Sequence, residues 1–243
     1  MSSHEADGFF LLAGRRICSE RHRRMSKRRV PVLVCFAVPE EAKPFKRLVQ
    51  GSDDVAVTVV GMGAGNAETS FKRALEVWDP ERVVTSGFAG GLNPKLRKGD
   101  VIYEMDEGFG SSQQWRDSGG KPGRFHCSDR VAVSSEEKSK LRQETGADAV
   151  EMESGVIRRI CLERAIRSAT VRVVSDAADE HLPLDFNSLM KPDMSLDFGK
   201  LAWTLMKSPG KIPVLLRFQG QVNRAAVNLA EILTKGLGLS ATA

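Results

Sequence analysis

Five carboxylates stand where this sequence could carry out acid–base chemistry. Glu40 and Glu41 follow the apolar run at residues 32–38, Glu151 and Glu153 flank Met152, and Asp176 follows Ser175 at the end of the apolar run at residues 170–174. Cleavage of a glycosidic bond uses such groups in two roles. One acid protonates the leaving group, and a second group orients the nucleophile, because the transition state resembles an oxocarbenium ion. When the leaving group is a purine, a ring nitrogen takes the proton, and a carboxylic acid beside the base can supply it. Asp176 is the candidate acid. The same residue types serve equally as a cap on the following turn, with Ser175 or Asp176 accepting from free backbone N–H groups. Glu40 and Glu151 read better as solvated acids at helix starts, where the helix dipole favours negative charge.

Glycines offer a second means of binding. Gly61, Gly63 and Gly65, and further on Gly87, Gly90 and Gly91, let backbone amides approach a ligand without a Cβ in the way. Neither segment carries the Lys-Ser/Thr of a P-loop or the Gly-x-Gly-x-x-Gly spacing of a dinucleotide site. Tight strand-to-helix turns account for each of them, taken singly, at least as well. His4, His22, His126 and His181 form no motif, no metal-ligand spacing is present, and no Gly-x-Ser-x-Gly elbow occurs.

The elements that must position these groups alternate. Strands are expected at 32–38, 55–60, 82–86, 100–104, 131–134 and 170–174. Helices are expected after Pro39, from Gly65 to about Trp78 with Asp79 and Pro80 as the stop, at 135–144 behind Ser134 or Ser135, and at 151–166. Two helices close the chain, the second near 213–235 with Leu215, Val222, Ala226, Leu229 and Leu233 on one face. Residues 87–91 and 107–124 read as loops. This pattern predicts a single α/β domain, a parallel or mixed central sheet flanked by helices. Ligands of such folds bind at the carboxyl ends of strands. Glu41, both glycine segments, Glu151 to Glu153 and Ser175-Asp176 all fall there.

The net charge of +5 is unevenly placed. Residues 1–30 hold eight Lys/Arg against three acids, and the remainder holds 28 of each sign. The excess therefore belongs to a disordered basic tail at 1–30 ahead of a neutral domain at 31–243. A nucleic-acid partner, which would need a basic domain face, is not expected. The tail is an address, a tether to an anionic surface, or a start-site artefact ahead of Met25. The apolar run at residues 9–13 is shorter than a signal-peptide core, and no run approaches a membrane span. Cys18, Cys35, Cys127 and Cys161 are scattered, as reduced thiols of a cytoplasmic protein would be.

Read together, the segments resemble the nucleoside phosphorylase/nucleosidase superfamily, most of all its methylthioadenosine/S-adenosylhomocysteine nucleosidase branch. The matching pieces are Val38-Pro-Glu-Glu-Ala42, Gly61-Met-Gly63, Ser86-Gly-Phe-Ala-Gly-Gly-Leu92 and Lys98-Gly-Asp-Val101. Ala149-Val-Glu-Met-Glu-Ser154 and Val171-Arg-Val-Val-Ser-Asp-Ala-Ala-Asp179 complete an ordered set over about residues 31–182. The resemblance implies that Asp176 protonates the purine with Ser175 in support, and that Glu41 holds the attacking water. It implies that Glu153 binds the ribose hydroxyls, that Met152 packs on the sugar, and that Phe88, Ala89 and Gly90 line the base and sugar pocket. It also implies a homodimer or larger homo-oligomer, a small-molecule nucleoside as substrate, and no metal or organic cofactor.

Two departures bear on the substrate. Val131 stands where the family usually places an aromatic residue beside the base, in Cys127-Ser-Asp-Arg-Val131. Residues 183–243 depart from the short helical end of standard nucleosidases and look more like hopanoid-associated phosphorylase-like proteins, whose supposed nucleoside carries a large apolar 5′ group. The expectation is hydrolysis of a purine nucleoside, a 5′-substituted adenosine. The alternatives are a phosphate-dependent phosphorylase and a non-catalytic nucleoside-binding module. Thr85 and Pro39-Glu40-Glu41 occupy the positions at which family phosphorylases supply phosphate-binding Arg residues, which favours water.

Overall fold

The sheet of the computed structural model, which describes residues 27–194, 197–208 and 210–240, is laid out around β1 (Arg28–Phe36). The last five residues of β1 are buried, as an apolar run covered on both faces must be. β1 pairs in parallel with β2 (Val55–Val59) and with β3 (Trp78–Gly91). β3 pairs in parallel with β8 (Arg167–Asp176), β8 runs antiparallel to β4 (Val101–Met105), and the short β5 (Gly120–Pro122) lies parallel to β4. The path is β2-β1-β3-β8-β4-β5. At the far end of β3, β7 (Ala149–Glu151) pairs antiparallel and carries β6 (Phe125–Cys127) beside it in parallel. This is the mixed sheet expected from the alternation.

Helices cover both faces. On one, Phe45 of α1 (Pro39–Leu48), Trp115 of α3 (Ser112–Asp117) and Leu229 and Leu233 of α8 (Lys211–Gly236) pack on Val34, Tyr103 and Val171. On the other, Phe71 of α2 (Ala64–Val77) and Ile157 and Ile160 of α5 (Ser154–Glu163) pack on Leu33 and Val83. α4 (Ser135–Thr145) is capped by Ser134, whose side chain accepts from Glu137 N, and ends at Gly146 in the left-handed region. The short α6 (Phe186–Leu189) and α7 (Phe198–Lys207) lead to α8.

Several local expectations are corrected. Residues 87–91 are not a loop: flanked by β8 on one side and by β7 at their end, they continue β3 despite their glycines. Asp79 and Pro80 do end α2, but they already belong to β3, and Trp78, Asp79 and Pro80 stand opposite Arg28, Arg29 and Val30. The sheet thus takes in the last three residues of the segment read as a tail, and residues 1–26 lie outside the described part. Residues 131–134 form no strand. They are held instead by Asn187, which donates to Val131 O and accepts from Val131 N, and by Leu182 N donating to Val133 O. The region 107–124 contains α3 and β5, stabilised by burial of Trp115, which periodicity in a short Gly- and Ser-rich stretch does not reveal. The helix expected at 151–166 begins only at Ser154, because Glu151 is the end of β7, and it stops before Ala165, whose φ is 56°.

Candidate active site

The carboxyl ends of β1, β3, β7 and β8 converge on a cavity of about 260 Å³, and all nine candidate residues line it. A cavity there is what the winding of the sheet requires, since neighbouring strands diverge to helices on opposite faces.

One wall is a buried cluster of four charged groups. The Glu41 carboxylate turns back over the start of α1, accepting from Ala37 N (3.1 Å) and Val38 N (3.3 Å) through Oε2 and from Phe88 N (3.0 Å) through Oε1. Glu153 accepts from Gly63 N through Oε1 (2.9 Å) and from Arg172 Nη2 through Oε2 (3.2 Å). Arg172 Nη2 also lies 2.6 Å from Glu151 Oε2. Glu151 is therefore not the solvated helix-start acid that its neighbours suggested. It is buried, it accepts from the backbone N–H groups of Glu153 and Ser154 and from Ser154 Oγ, and it anchors Arg172. Glu40 is exposed, as read.

One guanidinium serves three carboxylates, and their ionisation divides accordingly. Burial opposes the charge on Glu151, but Arg172 and the Ser154 and Glu153 donors outweigh it and hold its pKa below the usual range. Burial pushes Glu153 up, against the pull of Arg172 and with repulsion from Glu151. Burial raises Glu41 to about 7, against the pull of Arg172 and its backbone donors. Gly87 makes the cluster possible. Its φ is 144°, and a Cβ there would sit 2.7 Å from Glu41 Oε2 and 2.8 Å from Arg172 Nη1. Gly87→Ala is expected to separate Glu41 from Phe88 N. Thermal melts should show a loss of roughly 1–3 kcal/mol, and ligand binding in this cavity should weaken with it. A variant that melts and binds as the parent would remove this role for Gly87.

The opposite wall is built by a β-bulge. Ala89 stands opposite Val174, but Gly90 stands opposite Asp176, so β8 has one extra residue, Ser175. A bulge re-aims the next side chain, and here that side chain is Asp176. Ser175 Oγ donates to Asp176 Oδ1 (2.5 Å) and contacts Ala89 O (3.2 Å). Lys138 Nζ, from α4, lies 2.5 Å from Asp176 Oδ2 as an ion pair rather than an aligned hydrogen bond. Lys138 is 0 % exposed and donates to Ala177 O and Glu180 O at 2.8 Å each. The sequence reading missed Lys138. Its only signal was a lysine four residues beyond the N-cap of a helix with almost no apolar face, which says nothing of burial.

The remaining lining is apolar apart from Arg130. Val150 of β7 and Met152 just after it contribute to it, and Phe88, Ala89 and Gly90 form the β3 side. Val131 stands among Leu182, Phe186, Met190 and Phe218, which close the end formed by α6 and α8. Phe186 and Phe218 are in ring contact, with centroids 6.3 Å apart. Among the described residues no group of His, Cys, Asp and Glu has a metal-binding arrangement.

A mixed sheet gathers four carboxylates at its strand ends, and the chain belongs to the phosphorylase superfamily, which it matches over residues 29–104 and 120–206. It is similar to the 5′-methylthioadenosine/S-adenosylhomocysteine nucleosidase of Staphylococcus epidermidis, with 26 % identity over 170 residues, 56 % of this chain and 75 % of that protein. The native futalosine hydrolase of Helicobacter pylori shares the fold with a TM-score of 0.60 at 18 % identity, covering 87 % of this chain and 98 % of its own. The 5′-methylthioadenosine/S-adenosylhomocysteine nucleosidase of the same organism, bound to butyl-thio-DADMe-Immucillin-A, gives a TM-score of 0.60 at 18 % identity, covering 88 % and 99 %.

Proposed function

We propose that this protein hydrolyses the N-glycosidic bond of an adenosine-type nucleoside substituted at its 5′ position, releasing the free base. The observation that carries this reading is the convergence of Glu41, Glu153 and Asp176 on one cavity from three different strand ends. The names of the relatives are consistent with it. Asp176 delivers its proton to a purine ring nitrogen as the C1′–N bond breaks and the bonding pair leaves with the base. Lys138 then faces a carboxylate, the charge state with which it pairs best, so the ion pair favours the transfer. Glu41 takes a proton from water as its oxygen bonds to C1′. Glu153 accepts from the ribose hydroxyls, with Met152 against the sugar. Glu41 then releases its proton to solvent and Asp176 takes one up, which resets both groups, and the sum is nucleoside plus water going to base plus free sugar.

Water is favoured over phosphate by charge. The two arginines near the cavity are engaged: Arg172 with Glu151 and Glu153, Arg130 with Glu137. Thr85, at the position of a phosphate-binding Arg, is buried against Thr170. A phosphate dianion would meet Glu41 with no free guanidinium beside it. Base release is therefore expected in phosphate-free buffer, unchanged by added phosphate, with free sugar as the second product. Release that requires phosphate and yields a sugar 1-phosphate would make this a phosphorylase. The apolar end at Leu182, Phe186, Met190 and Phe218 suits an apolar 5′ substituent, and analogues with longer apolar 5′ chains should have lower KM.

The pH profile follows from Glu41. The residue must be ionised to take a proton from water, and burial raises it from 4.5 to about 7. kcat/KM is expected to rise through an ionisation near pH 7 and to drop tenfold per unit below it. The same shift means that Glu41 stabilises the fold fully below about pH 4.5, where it is protonated folded and unfolded, and that this contribution is lost as the pH climbs to about 7. An acid limb that persists in Glu41→Gln would assign the ionisation elsewhere.

A further inference from the structure

Five of the large hydrophobic side chains that are exposed among the described residues fall within one short stretch: Trp203 and Met206 of α7, and Ile212, Val214 and Leu216 at the start of α8. Trp203 is 57 % exposed and Met206 74 %. Residues 197–217 also hold four basic residues, Lys200, Lys207, Lys211 and Arg217, and one acid, Asp197, which caps α7. The Lys207 ammonium lies 4.7 Å over the Trp203 ring. Large apolar side chains with an excess of positive charge among them are the make-up of an interfacial helix. No helix among the described residues is long and apolar enough to cross a membrane, so such a face would lie on the bilayer and not span it.

We propose that the α7 and early α8 face docks this protein on anionic lipid bilayers. The charge pattern selects this occupant over a second copy of the chain. A two-fold dimer through the patch would bring four basic residues against four with only Asp197 on each side to pair them, whereas phosphate headgroups complement them. The helix that carries part of this face also lines the cavity, from another of its sides. Two residues beyond the exposed Leu216, Phe218 lines the apolar end beside Phe186. The docking itself does not depend on the reaction proposed above.

The test is co-sedimentation of the full chain with phosphatidylcholine vesicles and with vesicles that also contain phosphatidylglycerol. Binding should be about tenfold or more stronger to the anionic vesicles and should weaken with salt. The triple variant Trp203→Glu, Met206→Glu, Ile212→Glu should lose this binding while keeping the parent melting temperature. Because the variant retains residues 1–26, undiminished binding by it would transfer the interaction to that basic segment and overturn the proposal. Absence of anionic binding by the parent would overturn it too. So would a lipid-free dimer that the triple variant converts to monomer, since a second copy would then cover the face.

Discussion

Asp176→Asn is expected to lower the rate of base release by roughly 10²–10⁴-fold, the usual worth of general acid catalysis, and to cost stability as well, because it leaves the buried Lys138 ammonium without its counter-charge. An amide of the same shape has no acidic proton to give. It can still accept from Ser175 Oγ, and Lys138 keeps its two carbonyl partners, Ala177 O and Glu180 O, so the bulge and α4 stay in place. KM should change little, because the loss lies in the step and not in binding. Lys138→Met provides a companion test. It removes the cation beside the departing proton and should also act on kcat, and in the Asp176→Asn background it should add little, because the two act as a pair. Additive losses would mean that Lys138 acts elsewhere. Near-parent activity of Asp176→Asn would dismiss Asp176 as the donor.

Arg172→Met should produce the largest loss of stability of any single substitution in the site. The guanidinium is the only cation among Glu41, Glu151 and Glu153 in this cluster, and it is about 1 % exposed. Removing one partner of a buried ion pair costs about 3–5 kcal/mol, which in a chain of this size lowers the melting temperature by roughly 6–20 °C. The sign of its pH dependence separates charge from packing. With Arg172 present, Glu151 is held below its usual pKa and is ionised in the fold. Without it, three buried carboxylates face one another, each favours its proton, and folding loses stability as the pH rises. The deficit should therefore be smaller at about pH 5 than at about pH 8. Arg172→Lys should recover part of it, restoring charge without the two-pronged geometry. A deficit equal at both pH values would show that Arg172 acts through its volume alone.

The two substitutions probe opposite walls of one cavity, and the walls differ in how they are held. The Asp176 wall hangs on a bulge and one lysine from α4. The Glu41 wall is locked by backbone donors from three segments: Ala37 and Val38, Gly63, and Phe88. Loss of the proton donor should leave the second wall standing, whereas loss of Arg172 should disturb ligand binding and fold together.

Much of this was legible in the chain itself. Apolar runs at residues 32–38 and 170–174, long enough to be strands and covered on both faces, determine the centre of the sheet, because no other packing buries them. The alternation with helices then sends the carboxyl ends of the parallel strands β1, β2, β3 and β8 to one edge. That brings Glu41, Gly90 and Asp176 to one place, and Glu153 joins them only because β7 pairs antiparallel with the end of β3. What a one-dimensional pattern does not carry is pairing. Residues 87–91 are rich in glycine and have the local preferences of a loop, yet they are strand because β7 and β8 supply hydrogen-bond partners from elsewhere in the chain. Glu151 and Lys138 have the local setting of solvated helix residues, yet both are buried because Arg172 and Asp176 arrive from β8 to neutralise them. The bulge at Ser175 has no signature in residue type, since it is a slip between two strands and exists only once both are laid side by side. Local propensity and periodicity thus determined most of the groups that reach the cavity. Long-range charge pairing and strand register decided which of them are buried, which are ionised and where the acid points.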